Sequence, residues 1–152
     1  MQHILSTISI YNIGMINMKL SKKGEYALMA MIYLSFNKDR KVTIHEIADT
    51  EKIPVKFLEQ ILLELKKAGM LRSKTGSGGG YELLRDPGDI NLAEVIRIID
   101  GPLAPINCVS KRAYMKCPQE NTCRLRDVML NVRNSIAQIL ENVTFADLCK
   151  TK

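Results

Sequence analysis

The residues best suited to chemistry are three cysteines that lie close together between positions 108 and 123. Cys108, Cys117 and Cys123 follow the spacing C-x8-C-x5-C. Five Lys or Arg residues lie within or just after this segment, against one acid inside it, Glu120. Cations near a thiol favour its thiolate form, which is the form that binds metals and reacts. The segment 108–123, called the cysteine loop below, is therefore the predicted chemical centre of the chain.

The spacing of these thiols leaves several kinds of chemistry open. Three thiols cannot all pair in disulfides, although one bridge that uses Cys149 is feasible. A structural zinc site normally has four Cys or His ligands at shorter spacing, and the two histidines, His3 and His45, are distant in sequence. Wider spacing suits an iron–sulfur cluster, whose ligands reach around several metal atoms. An iron–sulfur cluster, another metal ion, and redox-active or incidental thiols all remain as interpretations.

The composition describes a small basic protein without a predicted membrane span. The chain has 152 residues, a hydrophobic fraction of 46 % and a formal charge of +6. It can therefore form one domain with its own core, and its charge suits a polyanionic partner. No run of eighteen apolar residues occurs, so we expect no transmembrane helix and no membrane partner. Retained thiols beside cations favour the reducing cytoplasm as the location.

The first seventeen residues differ from the rest of the sequence. Residues 1–17 are rich in aliphatic side chains but contain no Lys or Arg, and they follow no clean helical or strand period. They also lack the positive region and clear cleavage site of a secretory signal. We predict a disordered or loosely packed extension, and an extra helix or strand packed on the domain is the alternative. Met18 is an alternative start, because the regular pattern begins there.

Residues 18–87 begin with the pattern of three helices. Ser21 can cap a first helix that is apolar on most sides and therefore buried. Thr43 and Glu46 match a capping box at the start of a short second helix. Pro54 suits the first position of a third helix after a tight turn. A short helix, a tight turn and a second helix form a helix-turn-helix pattern.

A hairpin is predicted after the third helix, which Gly69 would end. Residues 70–74 and 81–84 match two strands, and residues 75–80 form a glycine-rich turn between them. This turn lacks the Lys and the following helix of a nucleotide-binding loop. Glycine also permits a close approach of bare amides to a DNA backbone, so we interpret the hairpin as a wing.

The predicted DNA contacts lie on the first helix, at the polar start of the third helix and on the wing. Thirteen Lys or Arg residues face nine acids within residues 18–87, which suffices for phosphate contacts, although a solvated basic surface would give the same count. The start of the third helix would meet base edges. The predicted contacts are Lys22, Lys23, Lys56, Glu59, Gln60, Arg72, Lys74, Ser77, Gly78, Gly79 and Gly80.

The C-terminal part is organised around one long helix. A connecting helix and turn occupy residues 88–107, the cysteine loop follows, and residues 124–149 contain the long helix and a last turn. Steps of three and four between its apolar residues give this helix one apolar side. A twofold copy of the same chain is the economical partner for that side. The predicted dimerisation residues are Leu125, Val128, Met129, Val132, Ile136, Ile139 and Leu140.

Four sequence motifs carry a resemblance to a known family. They are the run 19–28 (KLSKKGEYAL), the segment 57–61 (FLEQI), the wing 76–81 (GSGGGY), and Gly101-Pro102 before a loop with three cysteines. Together they resemble the bacterial winged helix-turn-helix transcription regulators of the IscR/NsrR/CymR family, over residues 18–149. The resemblance implies a mainly α fold with a small β wing, and a long C-terminal helix that forms a homodimer.

The resemblance also implies the function and the ligands. It implies a regulator, with repression expected, that binds double-stranded operator DNA. Relatives with three cysteines bind an iron–sulfur cluster in this loop, and a 2Fe-2S cluster is favoured here over 4Fe-4S. Arg126, which cannot ligate, stands where the iron–sulfur cluster regulator has a histidine ligand, whereas Glu25 matches an acid that some relatives donate between subunits. The implied ligands are Cys108, Cys117, Cys123 and Glu25 of the partner subunit.

Other departures from the family concern the loop and the wing. The first cysteine gap, eight residues, is longer than in the iron–sulfur cluster regulator, and Thr75 stands where that regulator has an Arg before the wing glycine. By position, Glu59 and Gln60 match its base-reading pair. These differences bear on the cluster geometry and on the wing contact rather than on the fold.

Three functions agree with the sequence. The first is a regulator that senses iron–sulfur status, redox state or nitric oxide through a cluster. The second is a cluster-free thiol-redox repressor of the cysteine-metabolism type, and the third is a small iron–sulfur carrier. An enzyme is not expected, because no nucleophile–base pair or phosphate loop lies in a coherent context.

Overall fold

The fold is described by a computed structural model that covers residues 20–150, so the predicted extension 1–17 lies outside the described residues. Within them the chain forms six α-helices and a two-stranded antiparallel sheet. The elements are α1 (Lys22–Phe36), α2 (Ile44–Glu51), α3 (Val55–Lys67), β1 (Leu71–Lys74), β2 (Gly80–Leu83), α4 (Leu92–Ile99), α5 (Arg124–Asn142) and α6 (Phe145–Lys150). Short 3-10 turns occur at Pro87–Asp89 and Asn107–Val109. The predicted fold class, mainly α with a small β wing, is confirmed.

The start of α2 differs in detail from the predicted capping box. The Thr43 hydroxyl accepts a hydrogen bond from the backbone N–H of Glu46 at 3.2 Å, as predicted. The Glu46 carboxylate does not complete the box, because it accepts hydrogen bonds from the Arg40 guanidinium and from the Tyr33 hydroxyl, the latter at 3.1 Å. The acid therefore connects α2 to α1 and to the loop between them.

Helix α3 begins and ends close to the predicted positions. Pro54 is the residue before the helix rather than its first residue, and its carbonyl accepts from the N–H of Leu58 at 3.0 Å. At the other end Gly69 has φ 76°, and the N–H of Met70 donates to the carbonyl of Leu65 at 2.9 Å. This is a Schellman motif, which needs the left-handed conformation that glycine adopts without strain.

One hydrophobic core joins the N-terminal helices to the C-terminal part of the chain. Phe145 of α6 is fully buried in it, and its N–H donates to the carbonyl of Ile90 at 3.1 Å. The N–H of Leu92 likewise donates to the carbonyl of Val143 at 3.1 Å. The chain therefore returns to its first half after α5. The largest fully buried side chains are Met31, Leu34, Val42, Ile47, Leu58, Ile61, Leu62, Leu65, Leu71, Ile90, Val95 and Phe145.

Candidate DNA-binding surface and cysteine loop

Helix α3 separates its apolar and polar side chains onto opposite faces. Its buried residues are Leu58, Ile61, Leu62 and Leu65, which recur at the helical spacing. Lys56, Glu59 and Gln60, predicted to meet base edges, are exposed. A helix that is anchored on one face and polar at its exposed N-terminal end has the form of a recognition helix.

The turn between α2 and α3 sets the direction of α3. Lys52 lies in the left-handed region at φ 55°, and the next residue, Ile53, is only 3 % exposed. The N–H of Ile53 donates to the carbonyl of Ala48 at 3.0 Å. The buried Ile53 anchors the turn, which holds Lys52 in a conformation that few residues other than glycine adopt.

The two predicted cations of α1 are both paired with acids. Lys22 lies 2.8 Å from Glu25 within the helix, and the hydrogen bond and charge of that carboxylate raise the pKa of Lys22. Lys23 lies 2.6 Å from Glu64 and so connects α1 to α3. Both lysines can contact phosphates only in competition with these acids.

The remaining predicted cations differ in their availability. Arg72 of β1 lies 3.0 Å from Glu82 on β2, directly opposite in the register of the hairpin. Lys56 and Lys74 are exposed, and neither forms an ion pair within the described residues 20–150. They are therefore the cations most available to a polyanion on this surface.

The wing glycines have distinct reasons to be glycine. A Cβ at Gly79 would lie 2.3 Å from the carbonyl oxygen of Lys74, and one at Gly80 would lie 2.6 Å from that of Val42. The fold of the hairpin itself therefore requires these two glycines. Ser77 and Gly78 are exposed at the tip, where the backbone is open to a partner.

The three cysteines of the loop occupy irregular backbone before α5. Cys108 lies in the 3-10 turn, Cys117 lies in the following turn, and Cys123 is the residue that precedes α5. All three and Cys149 are partly buried free thiols, and burial raises the pKa of the Cys149 thiol. Within residues 20–150 of one chain, no group of three or more Cys, His, Asp or Glu side chains is placed to hold a metal ion.

An ion pair and a hydrogen bond organise the second half of the cysteine loop. Arg126 lies 2.9 Å from Glu120, and the Tyr114 hydroxyl donates to the same carboxylate at 2.7 Å. The hydrogen bond from Tyr114, with a further contribution from Arg126, lowers the pKa of Glu120. Arg126 thus holds the loop against the first turn of α5.

Helix α5 holds the first half of the loop through Arg133. The guanidinium of Arg133 donates to the carbonyl of Val109 at 2.7 Å. Val109 is only 2 % exposed and directly follows Cys108. The backbone beside the first thiol is therefore fixed to the middle of α5.

Asp100, which directly follows α4, contacts the start of α1. Its carboxylate accepts hydrogen bonds from the backbone N–H of Ser21 at 3.0 Å and from the Ser21 hydroxyl. This contact needs Gly24, because a Cβ there would lie 2.4 Å from the carboxylate oxygen. Glu25, the implied fourth ligand, follows directly and is paired with Lys22.

The apolar side chains of α5 fall into two groups, one exposed to solvent and one partly buried. Leu125, Val128 and Ile139 are exposed, at 54 %, 54 % and 64 %. Met129, Val132, Ile136 and Leu140 are partly buried, and α5 packs against α4 and the 3-10 turn of its own chain. Exposed apolar side chains on a helix are a surface that a partner can cover.

Sequence reasoning missed Asp100 and Arg133 as residues of this region. Ser21 and Asp100 are 79 positions apart, so no local period connects them. Arg133 lies among polar residues of an amphipathic helix and has the same sequence signal as a solvated side chain. The only available signal for Asp100 was its place between α4 and Gly101.

No helix among residues 20–150 combines the length and hydropathy that crossing a membrane requires.

Comparisons with known proteins place the chain among bacterial regulators. The family described as "Rrf2: Iron-dependent Transcriptional regulator" matches residues 20–151. An rrf2-like HTH-type transcriptional regulator of Rhodobacter capsulatus is 40 % identical over 136 residues, which cover 85 % of this chain and 91 % of that protein.

Solved structures show the same likeness. CymR (YrzC), the global cysteine regulator of B. subtilis, has a TM-score of 0.75 and 28 % identity, over 88 % of this chain and 98 % of that one. The T. potens IscR has a TM-score of 0.70 and 30 % identity, over 87 % of this chain and 86 % of that one.

Proposed function

This chain belongs to the Rrf2 family of transcriptional regulators, and we propose that it is a homodimeric, DNA-binding repressor with an iron–sulfur cluster in its cysteine loop. In this proposal residues 18–87 bind operator DNA, residues 88–107 connect, residues 108–123 hold the cluster and residues 124–149 dimerise. The observation that carries the proposal is the anchored helix α3, whose polar N-terminal end is exposed and which an antiparallel hairpin follows.

The proposed DNA contacts divide into base reading and backbone positioning. Glu59 and Gln60 would read base edges in the major groove, while Lys56, Lys74 and the wing tip would contact phosphates. Lys22, Lys23 and Arg72 would add phosphate contacts after exchanging their acid partners for DNA. Two such units of a dimer would bind half-sites one helical turn apart.

The proposed dimer uses the exposed row of α5. Leu125, Val128 and Ile139 would pack against the same residues of the partner, since a twofold interface places one surface against its own copy. The partly buried Met129, Val132, Ile136 and Leu140 support this row from within the chain. Burying each exposed aliphatic side chain would contribute about 1–2 kcal/mol per subunit.

The donor set fits an iron–sulfur cluster in its chemistry. Cys108, Cys117 and Cys123 are unbridged, partly buried thiols in a basic loop, and Glu25 of the partner subunit would complete the set. One chain alone does not bring three of these donors together, so ligation would require the loop to close further. A bound cluster supplies a centre that responds to oxygen, nitric oxide and iron supply.

The first test is the absorption spectrum of anaerobically purified protein, with iron, sulfide and zinc assayed on the same sample. Visible charge-transfer bands with matching iron and sulfide are expected. Glu25→Gln should then shorten the lifetime of the bands in air, whereas the control Lys22→Gln removes the partner of Glu25 and leaves the lifetime unchanged. Equal lifetimes in both variants would remove Glu25 from the ligand set.

The second test measures DNA affinity on an operator selected from random sequence. Lys56→Gln should weaken binding of the dimer by about 2 kcal/mol and lower the slope of log K against log salt by about two, because each subunit loses one phosphate contact. Lys150→Gln, on α6, removes the same charge away from α3 and should change neither quantity. Failure of the wild-type chain to select any sequence would overturn the regulatory proposal itself.

A second candidate function is a cluster-free thiol-redox repressor. The free thiols, the lack of a ready metal group within residues 20–150 and the likeness to CymR all favour it. Protein that stays colourless after reconstitution with iron and sulfide, and whose DNA affinity depends on added thiol, would support this alternative over the cluster.

A further inference from the structure

A cationic cleft lies beside the cysteine loop and is not used by the proposed DNA or cluster sites. Its volume is about 250 Å³, and it is formed by α4 and the turn after it, the loop after Cys108, and α5. Four cations line it, namely Arg97, Lys111, Arg112 and Arg133. Within the lining the single acid is Glu141, so the cleft has a net positive charge.

The cations of the cleft converge on one place from three separate elements. Arg97 pairs with Glu141, and it lowers the pKa of that carboxyl first by its hydrogen bond and then by its charge. The charges of Lys111 and Arg112 lower the same pKa further. One carboxylate thus already lies within the field of three cations, and the structure gives Lys111 and Arg112 no ion pair within residues 20–150.

The rest of the lining is apolar except for Ser110 and Asn134. Pro102, Leu103 and Ala104 come from the turn after α4, and Ala137 comes from α5. A concave site with apolar walls and a few convergent polar groups is the usual form of a small-molecule pocket. Since its volume is below the usual range for drug-sized ligands, the ligand must be small.

We propose that this cleft binds a small organic anion that carries at least two carboxylate or phosphate groups on a short aliphatic frame. Lys111 and Arg112 would contact one anionic group, and Arg133 would contact the other from α5, since guanidinium groups bind such oxygens in pairs. The aliphatic part would lie against Leu103 and Ala137.

Such a ligand would fix the cysteine loop as well as fill the cleft. Lys111 and Arg112 lie three and four positions after Cys108, and Arg133 already bonds the carbonyl of Val109. The anion would therefore hold the segment after the first thiol against α5. It would act as an input to the regulator that needs no cluster, which goes beyond the proposed function.

The test is calorimetric titration of metal-free, full-length protein with citrate and, separately, with inorganic phosphate at constant ionic strength. We expect saturable binding at one site per chain, with glycerol as a neutral probe that does not bind. The double variant Lys111→Gln/Arg112→Gln should weaken the better anion at least about tenfold, because two charge-assisted contacts are lost. Citrate should bind more tightly than phosphate, which has a single anionic group and no aliphatic part, and the reverse order would contradict the proposed frame.

A matched control distinguishes a specific anion site in the cleft from general electrostatic attraction to the basic surface. Lys116→Gln/Arg124→Gln removes two exposed cations of the same region that do not line the cleft, and affinity should change less than about twofold. Backbone amide NMR shifts on citrate addition should centre on Ala104, Asn134 and Ala137. Equal weakening in the two double variants, or shifts spread over the surface, would overturn the proposal.

DNA binding of the same variants distinguishes this inference from the regulatory proposal. If Lys111 and Arg112 contact DNA instead, their double variant should lower the affinity for every DNA sequence. It should also reduce the slope of log K against log salt concentration. That result would overturn the small-anion site and leave the DNA-binding proposal intact. Absence of saturable anion binding, with operator affinity retained, would likewise refute only the anion site.

Discussion

Replacing Gly24 by Ala tests the contact between the start of α1 and Asp100, the residue that follows α4. In a free helix this change would stabilise by about 1 kcal/mol, since glycine has the lower helix propensity. Here the new Cβ would lie 2.4 Å from the carboxylate oxygen of Asp100, and 3.0 Å from a methyl carbon of Leu20. The Asp100 side chain must therefore rotate away from Ser21.

The size of the effect follows from the two hydrogen bonds that this rotation breaks. Asp100 accepts from the N–H and from the hydroxyl of Ser21. A hydrogen bond to a charged group contributes about 1.5–3 kcal/mol, and the lower figure applies because both residues are exposed. The loss is then about 3 kcal/mol, and the gain in helix propensity reduces it to a net destabilisation of about 2 kcal/mol.

Urea unfolding at fixed protein concentration measures this effect, and a mutant cycle tests its cause. Gly24→Ala should lower the midpoint by about 1 M, given the usual slope of about 1–3 kcal/mol per molar urea. In an Asp100→Ala background the same change should stabilise, because no carboxylate remains to be displaced. Destabilisation of equal size in both backgrounds would refute the reasoning, since the clash would then lie elsewhere.

Three further predictions concern the dimer, the core and the pH dependence. Ile139→Glu should weaken self-association at least about 100-fold in sedimentation equilibrium, because two carboxylates would enter an apolar interface. The control is Gln138→Glu at the exposed neighbouring position, which should have little effect. Phe145→Ala should lower the free energy of unfolding by about 3–5 kcal/mol in urea, and a value below about 1 kcal/mol would contradict its place in the core. The hydrogen bond from Arg40 lowers the pKa of Glu46 below its ordinary 4.5, and the backbone N–H of Gly88 lowers the pKa of Asp86 below 3.8. The stability that these carboxylates contribute should therefore be complete at neutral pH, begin to fall below the ordinary values, and be lost as the pH passes through the lower pKa values of the folded state. Urea midpoints that stay constant between pH 6 and pH 3.5 would contradict this last prediction.

Local patterns predicted the elements of residues 20–84 from the sequence. The apolar spacing in α3 and the left-handed Gly69 depend on residues within a few positions of each other, so periodicity and capping rules reach them. The glycine-rich turn likewise predicted the hairpin, although the structure requires Gly79 and Gly80 for contacts within the chain. The long helix was also predicted. The sequence did not predict that some of its apolar side chains pack within the chain while others are exposed to solvent.

Contacts between distant residues were beyond these rules. The Ser21–Asp100 hydrogen bonds, the Arg133–Val109 bond and the burial of Phe145 depend on how the chain returns on itself after α5. A polar residue that makes one specific long-range bond has the same sequence signal as one that faces water. Lys52 was missed for another reason, since its left-handed conformation is one that sequence rules assign to glycine.

These long-range contacts fix both ends of the segment 100–109, which leads into the cysteine loop. Asp100, which precedes the loop region, is bonded to the start of α1, the helix that carries Lys22, Lys23 and Glu25, while Val109 is bonded to α5. A ligand of the loop can alter DNA binding only through different affinities for two arrangements of these ends. A Cβ at position 24 would overlap the Asp100 carboxylate, so this contact depends on Gly24. The Asp100–Ser21 hydrogen bonds are one route by which a change in the loop would reach α1, and we predict that Asp100→Ala weakens the dependence of DNA affinity on the state of the cysteines.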